Sequence, residues 1–222
     1  MRNFKRIVAI VAVAIVIAVI CLNFGIKPTA KKELMTVVID AGHGGIDGGV
    51  TGVNTGVKES DLNLIIAKDL EANFKAGGFN VVMTRTSNGG LYGVMSEGFK
   101  MRDMKKRKEI INSAHADVMI SVHLNFFSSP NRRGAQVFYK IGDEKSLALA
   151  KSIQSELNIT EREYSPLGGD FYVLNESNCT SVLCECGFLS NPQDEALLIT
   201  EEYRAKISEL IYLGTVKEIF PN

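Results

Sequence analysis

Residues 35–45 have the sequence MTVVIDAGHGG, an apolar run that ends in an acidic residue and a glycine-rich loop. The run predicts a buried strand, because it is short, rich in β-branched residues and followed by glycines. The glycines around His43 let the backbone approach closely, so the imidazole projects from a tight loop. We therefore expect His43 to lie just beyond the end of a buried first strand.

Strands and helices alternate along the rest of the chain. Further strands are predicted at 80–84, 118–122, 135–140, 171–174 and 181–186, and helices at 61–75, 100–113, 146–157 and 201–220. This alternation is typical of an α/β fold, here a single domain with a mostly parallel sheet flanked by helices. Ligands of such sheets bind beyond the carboxyl ends of the strands. His43, His123 and Glu185 all lie at or near predicted strand ends.

Composition limits the classes of function. The chain has 222 residues, no formal net charge and 45% hydrophobic residues. That length suits one catalytic domain plus a short appendage. Because basic residues are not in excess, nucleic acid is not expected as a partner.

The N-terminus carries an apolar run at residues 7–22, preceded by three basic residues. The run lacks a following A-x-A-like pattern, which favours an uncleaved membrane anchor over a cleaved signal peptide. The basic residues predict a cytoplasmic N-terminus and an exported domain. We therefore expect a signal-anchor transmembrane helix at 1–25, a linker at 26–34 and a catalytic domain at 35–222.

Three residues form a candidate zinc site. A catalytic zinc takes three protein ligands and keeps one open position. His43 and His123 follow predicted strands, and Glu59 stands just before the first helix, whose N-terminus favours a carboxylate. Each residue alone also has a structural interpretation, as a hydrogen-bonded histidine or a surface glutamate. Because the HExxH motif is absent, the ligands would have to converge from distant segments.

Glu185 is the candidate for activating water. It lies in an apolar run, where burial of a carboxylate is costly and raises its pKa toward the range that a general base needs. A buried salt bridge to Arg85 or Arg107 is the structural alternative. Strand alternation places Cys184 and Cys186 on the face opposite Glu185.

Taken together, these segments resemble the family 3 N-acetylmuramoyl-L-alanine amidases. The matching segments are IDAGHGG at 39–45, KE at 58–59, TR at 84–85, SVHLN at 121–125, GAQVFY at 134–139 and ECGFLSN at 185–191. The resemblance implies one zinc ion bound by His43, Glu59 and His123, with Glu185 as the catalytic glutamate. It also implies a six-stranded sheet, and a substrate amide that joins the lactyl group of muramic acid to L-alanine in peptidoglycan.

Within that family, the small size, the apolar N-terminus and the lack of wall-binding repeats resemble the germination-specific amidases of spore formers. The resemblance implies removal of peptides from spore cortex ahead of muramic δ-lactam formation. It places the catalytic domain outside the cytoplasm, in sporulating cells between the forespore membranes. Asn125, Arg85 and Arg107 are candidates for positioning the substrate or supporting the ligands.

Regulation is expected from a partner protein, because no inserted segment that would block the site is evident. Phe126 and Phe127 follow Asn125 where relatives often have a small residue, and they are a candidate contact for that partner. Two other functions remain open from the residues alone. One is a zinc peptidase acting on wall peptides, and the other is a catalytically degenerate wall-binding protein.

Overall fold

One mixed sheet organises residues 34–221, the part of the chain that the computed structural model describes. Its strands are β1 (Thr36–Ala41), β2 (Asn80–Met83), β3 (Val118–Asn125), β4 (Gln136–Lys140), β5 (Leu167–Gly169) and β6 (Thr180–Phe188). The strand order is β2-β1-β3-β6-β4-β5. All neighbouring pairs are parallel except β4 and β6, which are antiparallel. The prediction of a six-stranded sheet is confirmed, and the antiparallel pair makes the sheet mixed.

Helices cover both faces of this sheet. They are α1 (Glu59–Ala76), α2 (Phe99–Ser113), α3 (Glu144–Leu157), α4 (Tyr172–Asn175), α5 (Pro192–Leu198) and α6 (Glu201–Ile219). The larger core packs α1, α3 and α6 against one face, and the smaller core packs α2 and α4 against the other. Alternate residues of β1 enter the two cores, as the period of a strand buried on both faces requires.

Helix α1 brings a carboxylate to the edge of the sheet. Four of its apolar residues recur at helical spacing and are buried in the larger core: Leu62, Ile66, Leu70 and Phe74. The helix begins at Glu59, two residues before the predicted start at Asp61. Because its N-terminus lies beside the carboxyl ends of β1 and β3, Glu59 reaches over the edge of the sheet.

The prediction of a strand at 171–174 is wrong. Residues Tyr172–Asn175 form helix α4, and the neighbouring strand β5 is Leu167–Gly169. Periodicity cannot separate a short buried strand from a short buried helix, which explains the first error. Two glycines give β5 little strand propensity. Gly169 is needed there, because a Cβ would lie 2.5 Å from the Phe171 ring.

Helix α5 was not predicted, although the sequence carries its start signal. The Asn191 side chain accepts hydrogen bonds from the backbone N–H groups of Gln193 and Asp194. Pro192 occupies the first turn, where its missing N–H costs nothing.

The predicted anchor at 1–25 and the linker at 26–34 lie outside the described residues, apart from Leu34. Residues Met35–Asn222 form one compact unit. Across 34–221, none of the helices has both the length and the apolar character needed to cross a bilayer.

Candidate metal centre

The loop after β1 turns His43 back against the end of β3. His43 has a φ of 59°, in the left-handed region, and Gly44 and Gly45 also have positive φ values. Gly42 has no room for a side chain, because a Cβ would lie 2.3 Å from Cε1 of His123. The two imidazole rings consequently meet edge to face, with centroids 5.0 Å apart.

Glu59 joins the two histidines into one cluster. Its Oε1 lies 3.0 Å from Nδ1 of His123 and 3.2 Å from Nε2 of His43. One ligand atom from each residue lies within 4.8 Å of the other two. Two imidazoles and a carboxylate are the donor set of several catalytic zinc sites and of other divalent transition-metal sites. The structure therefore brings the three predicted ligands together, and they fit a metal ion.

Surrounding groups fix the orientation of these ligands. Asp47 places Oδ2 3.1 Å from Nδ1 of His43, and the backbone N–H of Val50 donates to Oε2 of Glu59 at 2.9 Å. Asn63 donates to Oε1 of Glu59 at 3.2 Å. Carboxylates that hold the second nitrogen of a ligating histidine are a regular feature of metal sites. Burial raises the pKa of Glu59, but the two imidazoles lower it further, so the group is a carboxylate.

A second glutamate ties the loop before α1 to helix α5. The Glu195 carboxylate accepts hydrogen bonds from the backbone N–H groups of Asn54 and Thr55 and from both of their side chains. Gly52 closes against it, since a Cβ there would lie 2.4 Å from Oε1 of Glu195. The segment that carries Glu59 is thus attached to the segment that follows β6.

Glu185 lies in β6 directly opposite His123 of β3. Its side chain is buried, and Oε2 has no hydrogen-bond partner among the described residues. Burial raises its pKa to about 7. No ion pair of Glu185 occurs within residues 34–221, so the salt-bridge alternative fails. Cys184 and Cys186 face the larger core on the other side of the sheet, and both thiols are free.

Arg85 and Arg107 are buried beneath the loop of His43. Arg85 donates to the carbonyl groups of Ala41, Gly42 and Ser60 at 2.8 Å each. Arg107 donates to the carbonyl groups of Ala41 and His43 at 2.7 and 2.5 Å. Of the two roles considered for these arginines, the contacts favour support of the metal ligands.

Asp40 balances the charge of Arg107. Its Oδ1 lies 2.6 Å from Nη1 of Arg107, and both side chains are buried. Ser121 and Thr84 each donate to its carboxylate at 2.7 Å. Burial raises the pKa of Asp40, but Arg107 and the two hydroxyl groups lower it to a net value of about 2.

Asn125 ends β3 at the same edge of the sheet. Its side-chain oxygen accepts a hydrogen bond from the backbone N–H of Phe126 at 2.8 Å. Phe126 and Phe127 are 47% and 42% exposed. The guanidinium of Arg132 stacks over the ring of Phe127, 4.8 Å from its centroid. These aromatic residues form an exposed apolar surface three and four residues after His123.

A cavity of about 260 Å³ opens next to His43 and His123. It lies between the sheet and helices α2 and α4, and its walls include Lys100, Met104 and Phe171. Sequence reasoning did not find Lys100 or Asp47. The only signal for Asp47 is its position four residues after His43, and Lys100 resembles any other lysine of a basic helix.

Comparison with known proteins gives consistent matches across the compact unit at 35–222. The model of the N-acetylmuramoyl-L-alanine amidase family matches residues 37–217. The germination-specific N-acetylmuramoyl-L-alanine amidase of Bacillus subtilis (strain 168) is 34% identical over 188 residues, covering 82% of this chain and 78% of that protein.

Two solved structures are similar in fold and sequence. The CwlD amidase from Clostridioides difficile, in complex with the GerS lipoprotein, has a TM-score of 0.78 at 38% identity and covers 83% of this chain and 98% of its own. An N-acetylmuramoyl-L-alanine amidase from Clostridium difficile 630 has a TM-score of 0.74 at 33% identity, covering 84% and 97%.

Replacement of Asp40 by asparagine should destabilise the protein at neutral pH, because the buried Arg107 would keep its charge and lose one of its two aspartate partners. The pKa of Asp40 is about 2 when folded, against 3.8 as a reference. Its charge therefore stabilises the fold above the reference pKa, by on the order of 2 kcal/mol, and this contribution disappears as the pH falls from about 4 toward 2. Urea unfolding at several pH values measures the free energy of unfolding of the wild type and of Asp40→Asn.

Glu202→Gln, at the exposed start of α6, is the matched control and should change the free energy of unfolding by less than about 0.5 kcal/mol. The difference in the free energy of unfolding between the wild type and Asp40→Asn should decrease as the pH falls toward 2. If this difference stays constant with pH, side-chain shape rather than charge causes the loss of stability.

Proposed function

Because the chain belongs to the N-acetylmuramoyl-L-alanine amidase family, we propose that it uses zinc to cleave the amide between the lactyl group of muramic acid and L-alanine in peptidoglycan. The observation that carries this proposal is the cluster of His43, Glu59 and His123 with Glu185 opposite His123. The cluster supplies three ligands, and the buried glutamate supplies a group for proton transfer.

A zinc ion held by these three residues would act as a Lewis acid toward a carbonyl oxygen and would acidify water. Glu59 remains ionised beside the imidazoles, so the donor set carries one negative charge. Arg85 and Arg107 hold the carbonyl groups behind His43, and Asp47 orients its ring. The chain thus fixes its ligands before the substrate arrives, which reduces the reorganisation needed during reaction.

Glu185 carries the proton in this mechanism. With a pKa of about 7, a substantial fraction of Glu185 is ionised near neutral pH and can accept a proton from the attacking water. The protonated carboxyl then donates to the nitrogen of L-alanine as the C–N bond breaks. The products are a free amino group on the peptide and a carboxylate on the lactyl group.

Digestion of purified peptidoglycan by the zinc-loaded full chain should release peptides that begin with a free L-alanine amino group. Mass spectrometry of the soluble products identifies the bond that is cut. The glycan should retain muramic acid without peptide. Cleavage inside the peptide would identify a zinc peptidase, and an unchanged wall despite bound zinc would identify a wall-binding protein.

Two variants separate metal binding from proton transfer within that assay. Glu185→Gln should keep zinc at one ion per chain and lower kcat by roughly a thousandfold, since its side chain cannot accept a proton. Glu59→Gln should lose zinc, because an amide is a poor replacement for the carboxylate ligand. Elemental analysis and kcat are measured on the same samples. Full activity in Glu185→Gln would remove Glu185 from the mechanism.

We propose spore cortex as the wall on which the enzyme acts, with the catalytic unit held outside the cytoplasm by residues 1–25. The relative from B. subtilis is named for germination, and the apolar run at 7–22 is close to the length of a spanning helix. The action would then precede formation of muramic δ-lactam. A single deletion strain can test both the cortex substrate and the membrane anchor.

Deletion of the protein from its spore-forming host should yield cortex without muramic δ-lactam, as measured by mass spectrometry of muropeptides. The full chain should restore the lactam and remain with membranes after an alkaline wash. Residues 26–222 alone should be found in the soluble fraction. Normal lactam in the deletion strain would exclude the cortex role, and release of the full chain by the wash would exclude the anchor.

We also propose a lipoprotein partner that contacts Phe126 and Phe127. The CwlD amidase of C. difficile is described in complex with the GerS lipoprotein, and the two phenylalanines present exposed apolar surface directly after β3, the strand that carries His123. Exposed aromatic side chains of this kind often anchor protein interfaces.

Replacement of both phenylalanines by serine should weaken binding of the host's GerS-like lipoprotein at least about tenfold, as measured by titration calorimetry. Val94→Ser is the control, because Val94 is 80% exposed on the separate loop before α2. Equal affinity of both variants would place the partner elsewhere.

A further inference from the structure

The cavity beside the histidines is too small for a glycan chain. Its volume is about 260 Å³, whereas pockets for small ligands usually range from about 300 to 1,000 Å³. It can hold one or two amino-acid residues. Since the cleaved amide joins a sugar chain to a peptide, the peptide is the part of the substrate that fits, and the glycan stays on the open side of the ligands.

The walls of this cavity suit the residue at the cleavage point. Met104 from α2, Phe171 and Val173 from the region of α4, and Leu183 from β6 give it an apolar lining. The side chain of L-alanine is a single methyl group, and its transfer from water to such a lining is favourable. Acidic side chains also line the cavity, and the exposed Lys100 marks its mouth.

Lys100 is the cation available at that mouth. The described residues that line the cavity include two cations, Lys100 and Arg107. Arg107 is buried and bonded to two aspartates and two carbonyl groups. The Lys100 side chain is 69% exposed, and its Nζ lies 3.8 Å from Oδ1 of Asp47. One long contact leaves hydrogen-bond donors of the ammonium free for a further acceptor.

Lys100 lies within reach of a short peptide held at the metal ligands, because Asp47 contacts both Lys100 and His43. Lys100 is linked through Asp47 to His43 by successive contacts of 3.8 and 3.1 Å. An extended chain advances roughly 3.3–3.6 Å per residue. A carboxylate one residue beyond L-alanine would therefore come within reach of the ammonium. Lys100 also lies in the first turn of α2, where the helix dipole favours an anion.

We propose that the cavity receives the peptide side of the substrate and that Lys100 binds a free α-carboxylate on the residue after L-alanine. Lys100 is then a specificity-determining residue that separates peptides with a free carboxylate from peptides with an amide at that position. This inference rests on the proposed function, because it assumes that the amide beside L-alanine is cleaved at the metal ligands.

The test uses two muropeptides that differ at one group, the α-carboxyl of the second residue, which is free in one and amidated in the other. The zinc-loaded full chain should cleave the free form with a kcat/KM about fivefold higher, the effect of one partly exposed ion pair. Lys100→Met should reduce that ratio to about one, mainly by slowing cleavage of the free form. Lys105→Met, an exposed lysine of the same helix outside the cavity, should keep the wild-type ratio.

The outcomes separate this inference from the proposed function. If the wild type cleaves both muropeptides equally, or if Lys100→Met slows both by the same factor, Lys100 does not bind the carboxylate, although the amidase activity stands. If the wild type cleaves neither muropeptide with zinc bound, both proposals fail. A preference that also disappears in Lys105→Met would reflect general attraction by the basic helix and would overturn the assignment to Lys100.

Discussion

Two buried guanidinium groups determine where the first histidine stands. The loop after β1 holds a non-glycine residue, His43, at a φ of 59°, a conformation that costs free energy. The loop also directs carbonyl groups into the protein, where each needs a donor. Arg85 and Arg107 supply these donors, and Asp40 neutralises Arg107. The position of the His43 ring against Glu59 therefore depends on charges that lie beneath the metal site.

The candidate metal ligands and the buried Glu185 were easier to predict than the residues that support them. His43 and His123 follow apolar strands. Glu185 stands out because burying a carboxylate within an apolar run costs free energy. These signals are local in the sequence. The roles of Arg85 and Arg107 depend on which carbonyl groups face them, and Lys100 matters only because α2 borders the cavity. Such relations arise from the packing of distant segments, which no local pattern contains.

The same distinction applies to the fold. Regular spacing of apolar residues predicted α1 and α6 over most of their lengths, because each buries one continuous face. The prediction was wrong for the region between α3 and β6, because a glycine-rich strand and a single-turn helix carry almost no periodic signal. Strand direction was also only partly predictable. The antiparallel contact of β4 with β6 depends on where β4 lies in the sheet order, a property of the whole chain.

The arrangement of sulfur around β6 has a consequence for metal selection. Thiolates bind zinc and softer ions strongly, and Cys184 and Cys186 are adjacent in sequence to Glu185. Both thiols lie on the opposite face of the sheet, and burial raises the pKa of each, so they stay protonated. An ion entering the site meets nitrogen and oxygen donors only. The two thiols nearest in sequence to Glu185 therefore do not compete with the histidines and Glu59 for a metal ion.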